Sequence, residues 1–186
     1  MLWDGRRAPF TLIGGYLGAG KTTVLNNLIR RAAGRRWVVL VNDVGAVNID
    51  ASLIASHDGD TLSLSNGCVC CSIADDLGMT LESIRDWAEP PDRVIMELSG
   101  VAEPARVAPW ANTAGFRLDG IVVVVDADQL IGQLARTDVG DTVAAQLDAA
   151  DLVVLSKTDL ADDGGAVARA TVGDRTDAPI VEVAHG

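Results

Sequence analysis

The chain has 186 residues, 48% of them apolar, and at this length roughly 70% of the unfolded surface is buried on folding, so a core forms without staples. Fifteen basic against 26 acidic residues give a formal charge of -11, a field that repels polyanions and argues against a nucleic-acid partner. The longest apolar runs, such as residues 121–125, fall far short of the ~20 residues of a bilayer span, and Met1-Leu2-Trp3-Asp4-Gly5-Arg6-Arg7 lacks the order of a secretory signal; no membrane partner and a cytoplasmic location are expected.

The first element is a strand over residues 10–13, followed by Gly15-Tyr16-Leu17-Gly18-Ala19-Gly20-Lys21-Thr22 and a helix over 21–33. Strand, G-x-x-x-x-G-K-[ST] and helix form the context of a phosphate loop. Its glycines let backbone N–H groups turn inward around a β-phosphate, and the helix N-terminus adds partial positive charge. Lys21 is expected to neutralise the β- and γ-phosphates, and Thr22 to offer its hydroxyl to Mg²⁺.

A second strand, 37–41, runs into Asn42-Asp43-Val44-Gly45. Asp43 is a candidate to contact Mg²⁺, to position water or to lend an oxygen to a second metal, although Asn-Asp-x-Gly also suits a plain turn. Next comes Asn66-Gly67-Cys68-Val69-Cys70-Cys71. These are all the cysteines of the chain, within four positions, and such a cluster reads as a metal or redox site rather than a disulfide framework. Adjacent thiolates tolerate one another only around a cation, which selects a soft or borderline ion such as Zn²⁺, Co²⁺ or Cu⁺. Zn²⁺ usually takes four ligands; Asp43, water, His57 or a thiolate of a second copy are candidates for the fourth, while His185 is a weaker one.

A helix over 72–88 is stopped by Pro90-Pro91, and a strand over 94–97 ends on Glu97-Leu98-Ser99-Gly100. That places Glu97 at the carboxyl edge of a sheet, where it is the natural acid to hold Mg²⁺ directly or through water, and Gly100 lets the next loop meet a γ-phosphate. After a helix over 103–112, the strand 121–125 ends on Asp126, a weaker candidate of the same kind as Asp43. Helices over 128–134 and 142–149 lead to a strand over 152–155 and then to Ser156-Lys157-Thr158-Asp159. A carboxylate at Asp159 can accept from N1 and N2 of guanine, a donor pair that adenine lacks. Lys157 would lay its alkyl stem over the purine. Gly164-Gly165, a helix over 165–172 and a strand over 180–183 complete the chain. Short β-branched runs alternating with helices predict an α/β fold: a doubly wound, mostly parallel sheet with helices on both faces.

These motifs in this order resemble the CobW-type metallochaperone GTPases, a SIMIBI-like branch of the P-loop NTPases. The resemblance rests on residues 14–23, which include Thr23 next to Thr22, and on 42–50, 66–71 with Asp75-Asp76-Leu77, 97–104, 123–126 and 156–159. It implies an enzyme that hydrolyses GTP with Mg²⁺, passing through GDP, and delivers zinc or cobalt to a client metalloprotein, with a homodimer as a further expectation. Lys21, Asp43 and Glu97 would be catalytic. Gly15, Gly18, Ala19, Gly20, Lys21, Thr22, Thr23, Ser156, Lys157 and Asp159 would bind nucleotide, and Cys68, Cys70 and Cys71 the transition metal. Where the family has Asn-Glu-Phe-Gly-Glu this chain has Asn42-Asp43-Val44-Gly45-Ala46, so one acid is shortened and another absent. Ser156 stands for the usual asparagine of Asn-Lys-x-Asp, which predicts weaker guanine selectivity. One domain over 1–186 is expected, without the family's usual C-terminal domain. Two other classes fit the motifs: a nucleotide- and metal-dependent regulatory protein with incidental turnover, and an ATP-dependent small-molecule kinase.

Overall fold

The computed structural model describes residues 3–32, 34–42, 61–64 and 72–184. Among these residues seven strands form one sheet: β1 (Ala8–Gly14), β2 (Trp37–Asn42), β3 (Thr61–Leu64), β4 (Arg93–Glu97), β5 (Phe116–Asp126), β6 (Leu152–Ser156) and β7 (Ile180–Val183). Their order is β3-β2-β4-β1-β5-β6-β7, and every pairing is parallel. The helices are α1 (Lys21–Arg31), α2 (Ser72–Arg85), α3 (Pro104–Val107), α4 (Leu130–Leu134), α5 (Gly140–Asp148) and α6 (Ala166–Gly173).

Right-handed crossovers decide which face each helix covers. From β1 the chain steps over β4 to β2, whereas from β3 onward it travels the opposite way across the sheet. Accordingly α1 packs Leu25 and Ile29 over Ile13, Val39, Ile95 and Val124 on one face. On the other, α2, α4, α5 and α6 bring Leu81, Leu130, Leu147 and Val172 over Leu12, Met96 and Val125. Successive strand residues point to opposite faces and both faces are covered, which is why β5 and β6 carry uninterrupted apolar runs. The reversal of winding leaves β1 between β4 and β5, at the switch point where open α/β sheets bind ligands outside their carboxyl ends.

Two local departures from expectation have identifiable causes. The helix expected over 103–112 is broken into α3 and a 3-10 turn, Ala108–Asn112. Pro109 has no N–H to give the carbonyl of Ala105, and its ring crowds that carbonyl. β5 begins at Phe116 rather than 121; Phe116 is buried in the core, and Arg93 holds this first stretch by pairing with Asp119 while bonding Thr11 Oγ1 at 2.6 Å. Among the described residues no helix is long and apolar enough to cross a membrane.

Candidate functional site

Strand register gathers the site. β1 pairs Ile13 with Glu97 of β4 and Gly14 with Val123 of β5, and β5 pairs Asp126 with Ser156 of β6. The loop after β1, the acid ending β4, the acid ending β5 and the Ser156 loop therefore share one edge.

The loop after β1 folds as its glycines require. Gly15, Gly18 and Gly20 have φ of 131°, 77° and 97°, conformations that L side chains rarely adopt. At Gly15 a Cβ would also lie 2.2 Å from the carbonyl oxygen of Val124, because the loop crosses β5 directly. Gly15→Ala is expected to destabilise the apo domain by at least about 1–3 kcal/mol from conformation alone, with the clash adding to that; denaturant unfolding measures it, and an unchanged midpoint would refute the close packing of loop on strand. Gly20 caps α1 without a side-chain bond, so the first N–H groups of the helix stay open toward the loop.

Lys21 is 8% exposed and donates to the carbonyl oxygens of Gly15 at 3.0 Å and Tyr16 at 3.3 Å. Burial lowers its pKa, against the attraction of Glu97. Thr22 Oγ1 donates to Glu97 Oε1 at 2.7 Å. Glu97 is itself 8% exposed, and its Oε2 is buried with no hydrogen-bond partner among the described residues. Burial raises its pKa, opposed by the Thr22 hydroxyl and by Lys21. The unused carboxylate oxygen of Glu97 and the adjacent Thr22 hydroxyl are hard oxygen donors that fit Mg²⁺, and the Lys21 ammonium beside them suits phosphate oxygens.

The loop after Glu97 lies against the glycine loop. A Cβ on Gly100 would fall 2.7 Å from the backbone nitrogen of Leu17. Gln146 of α5, 1% exposed, ties this loop down by donating to the carbonyl oxygens of Ala102 at 2.9 Å and Gly100 at 3.1 Å. Sequence reasoning missed Gln146; its signal was a polar residue on the apolar stripe that holds Val143 and Leu147.

At the end of β6, Ser156 is 1% exposed, and its Oγ lies 2.7 Å from the carbonyl oxygen of Ala19 and 3.0 Å from that of Val125. One hydroxyl proton serves one carbonyl at a time, yet either bond ties this loop to the sheet or to the glycine loop. Lys157 has φ 56°, a left-handed conformation that costs a non-glycine residue about 1–2 kcal/mol. Its Nζ is 2.6 Å from Asp126 Oδ2. Asp159 and Thr23 are exposed. Asp43, Cys68, Cys70, Cys71, His57 and His185 lie outside the described residues.

The family model described as "CobW/HypB/UreG, nucleotide-binding domain" matches residues 9–181. A zinc chaperone CobW of Sinorhizobium sp. is 34% identical over 200 residues, covering 91% of this chain and 56% of that protein. The zinc-regulated GTPase metalloprotein activator 1 of Schizosaccharomyces pombe is 36% identical over 163 residues, covering 82% of this chain and 39% of the activator. A zinc-bound triple mutant of the GTPase YjiA has the same fold, with TM-score 0.70 at 25% identity over 97% of this chain and 59% of that one. The chain thus spans about two fifths to three fifths of the length of these relatives. With the match running from β1 into β7 and the glycine loop, Glu97 and the Ser156 loop on one edge, the chain belongs to the CobW/HypB/UreG nucleotide-binding domain family.

Proposed function

We propose that this chain binds and hydrolyses GTP in the cytoplasm, and couples its nucleotide state to the binding and delivery of a transition metal, zinc or cobalt, held by Cys68, Cys70 and Cys71. The observation that carries the nucleotide half is the pair of buried side chains Lys21 and Glu97, with Thr22 bonded to Glu97, at the mouth of the glycine loop. Lys21 now rests on two loop carbonyls, and a triphosphate offers its ammonium better, charged acceptors. Thr22 and Glu97 would hold Mg²⁺, which when bound neutralises charge building on the phosphates. Gly100 brings the following loop within reach of a γ-phosphate, and Asp43 is the candidate to orient water. Asp159 accepts from the guanine edge while Lys157 covers its face.

The metal half is supported by the Cys-x-Cys-Cys motif and by the relatives named as zinc chaperones and zinc-regulated activators. The metal is cargo: GTP would order the Asp43 segment and the cysteine loop into a tight site, and hydrolysis would loosen it for transfer to a client metalloprotein. Linkage makes this testable, because nucleotide can change metal affinity only if metal changes nucleotide affinity equally. A competitive zinc titration of wild type and Cys70→Ser, each with a GTP analogue and with GDP, is expected to show roughly 5–150-fold tighter binding in the GTP state. The serine variant should lose that difference. Equal zinc affinity in both nucleotide states would defeat the coupling, and half a metal per chain would indicate a homodimeric site.

A further inference from the structure

Asp126 ends the long central strand β5 directly beside Ser156, and its carboxylate is 5% exposed. Both of its oxygens are engaged. Oδ1 accepts the backbone N–H groups of Asp128 at 3.1 Å and Gln129 at 3.3 Å, which fixes the plane of the carboxylate on the turn leading into α4. Oδ2 faces Nζ of Lys157 at 2.6 Å. Lys157 is strained in the left-handed region and two thirds buried at its side chain, so a long, rotamer-rich chain is locked at both ends: at its backbone by the Ser156 anchor and at its tip by Asp126.

We propose that Asp126 is a positioning residue of the purine site, fixing the stem of Lys157 as a rigid platform on which the base stacks. The proposal rests on the nucleotide-binding reading above and adds to it a residue that touches neither base nor phosphate. An unanchored lysine stem must give up its rotamer freedom each time a base binds; one already held by a buried ion pair has lost that freedom in the apo domain, so affinity rises without any new contact to the ligand. Stacking on an alkyl stem does not read hydrogen-bonding groups. The contribution of Asp126 is therefore shared by all purine nucleotides, whereas that of Asp159 depends on the guanine edge.

Asp126→Asn separates the two oxygens' tasks, because Asn Oδ1 still accepts the two turn amides while its NH₂ would face an ammonium, donor against donor. The expected result is a Kd for GDP raised about tenfold or more, a Kd for ADP raised by the same factor, and a KM for GTP raised with kcat held within about twofold. In a Lys157→Met background, which keeps an unbranched stem without charge, Asp126→Asn should change the GDP Kd by less than about twofold, because the partner through which it acts has gone. Multiplying effects of the two substitutions, or an effect on kcat in place of KM, would overturn the proposal. If Asp126→Asn does not fold, Lys157→Met decides alone: a loss of GDP affinity under about threefold would mean that there is no platform to support. GDP binding by the wild type tests the nucleotide reading itself, and its absence would refute both.

Discussion

Glu97→Gln is expected to raise the melting temperature of the nucleotide-free domain at neutral pH while cutting GTP turnover by about 10²–10³-fold. The buried carboxylate has a native pKa above its ordinary 4.5, so between the two values the folded chain holds more protons than the unfolded one, and stability falls as pH rises through that window. Above it the folded state carries the whole penalty of a buried charge that Thr22 and Lys21 only partly relieve. Glutamine removes that penalty and can still accept the Thr22 hydroxyl, so each kcal/mol of relief should appear as a rise of about 2–4 °C for a domain of this size. Lys21 has the mirror-image behaviour. Its native pKa lies below 10.5, so stability rises with pH between the native value and 10.5. Melting curves of wild type and Glu97→Gln from acid to mildly alkaline pH check this, since their difference cancels the titrating groups that do not interact with Glu97, leaving Glu97 and the Lys21 coupled to it. The difference should vanish below the ordinary carboxylate pKa and open as pH rises. A variant that melts lower than wild type at pH 7 would mean that Coulomb attraction to Lys21 outweighs desolvation, and the site would then be self-satisfied rather than poised for ligands. The loss of turnover has the same origin, because in the proposed function the unpartnered Oε2 would be the atom offered to Mg²⁺.

The parts of this site that were legible in the sequence are those in which one local segment carries both conformation and chemistry. Gly15 to Thr22 announces its turn by its glycines, and the β1 and α1 flanks follow from the same pattern. Glu97 could be placed because a strand of buried residues ends on it. The short strand β3, Thr-Leu-Ser-Leu, is half polar and only four residues long, and its strand character comes from pairing with β2 rather than from its own pattern. Lys157 and Asp126 are 31 residues apart and meet only because β5 and β6 pair in one register, which no local pattern reports. Gln146 is similar: its partners, Gly100 and Ala102, lie more than 40 residues away. By sequence Asp126 is a weaker candidate of the same kind as Asp43 for Mg²⁺ or water, but the structure commits both of its oxygens to the α4 turn and to Lys157.

Asp159→Asn should exchange guanine for xanthine, raising the GDP Kd by at least about 10²-fold and making XDP the tighter ligand. An aspartate offers two acceptors to the N1–H and N2 amine of guanine. Xanthine keeps the N1–H but carries a carbonyl where the amine was, so the acceptor and donor of an asparagine amide match it while the aspartate repels it. The magnitude depends on how firmly the loop is held against the phosphate site, since a loop that drifts lets either base find water instead. Here Ser156 matters. A hydroxyl in place of the asparagine of Asn-Lys-x-Asp predicts weaker guanine selectivity, yet it is buried and 2.7 Å from the carbonyl oxygen of Ala19 within the glycine loop, a bond that would tie residues 157–159 to that loop. Selectivity should therefore be strict in the wild type, with GDP bound at least about 10²-fold tighter than ADP. Ser156→Ala should narrow that ratio without inverting it, because the edge-reading carboxylate remains and only its registration is lost. Calorimetric titration of GDP, ADP and XDP into wild type, Ser156→Ala and Asp159→Asn separates the two effects. Equal affinity of the wild type for GDP and ADP would show that Asp159 does not read the base, and an unchanged ratio in Ser156→Ala would show that the contact with Ala19 contributes nothing to recognition.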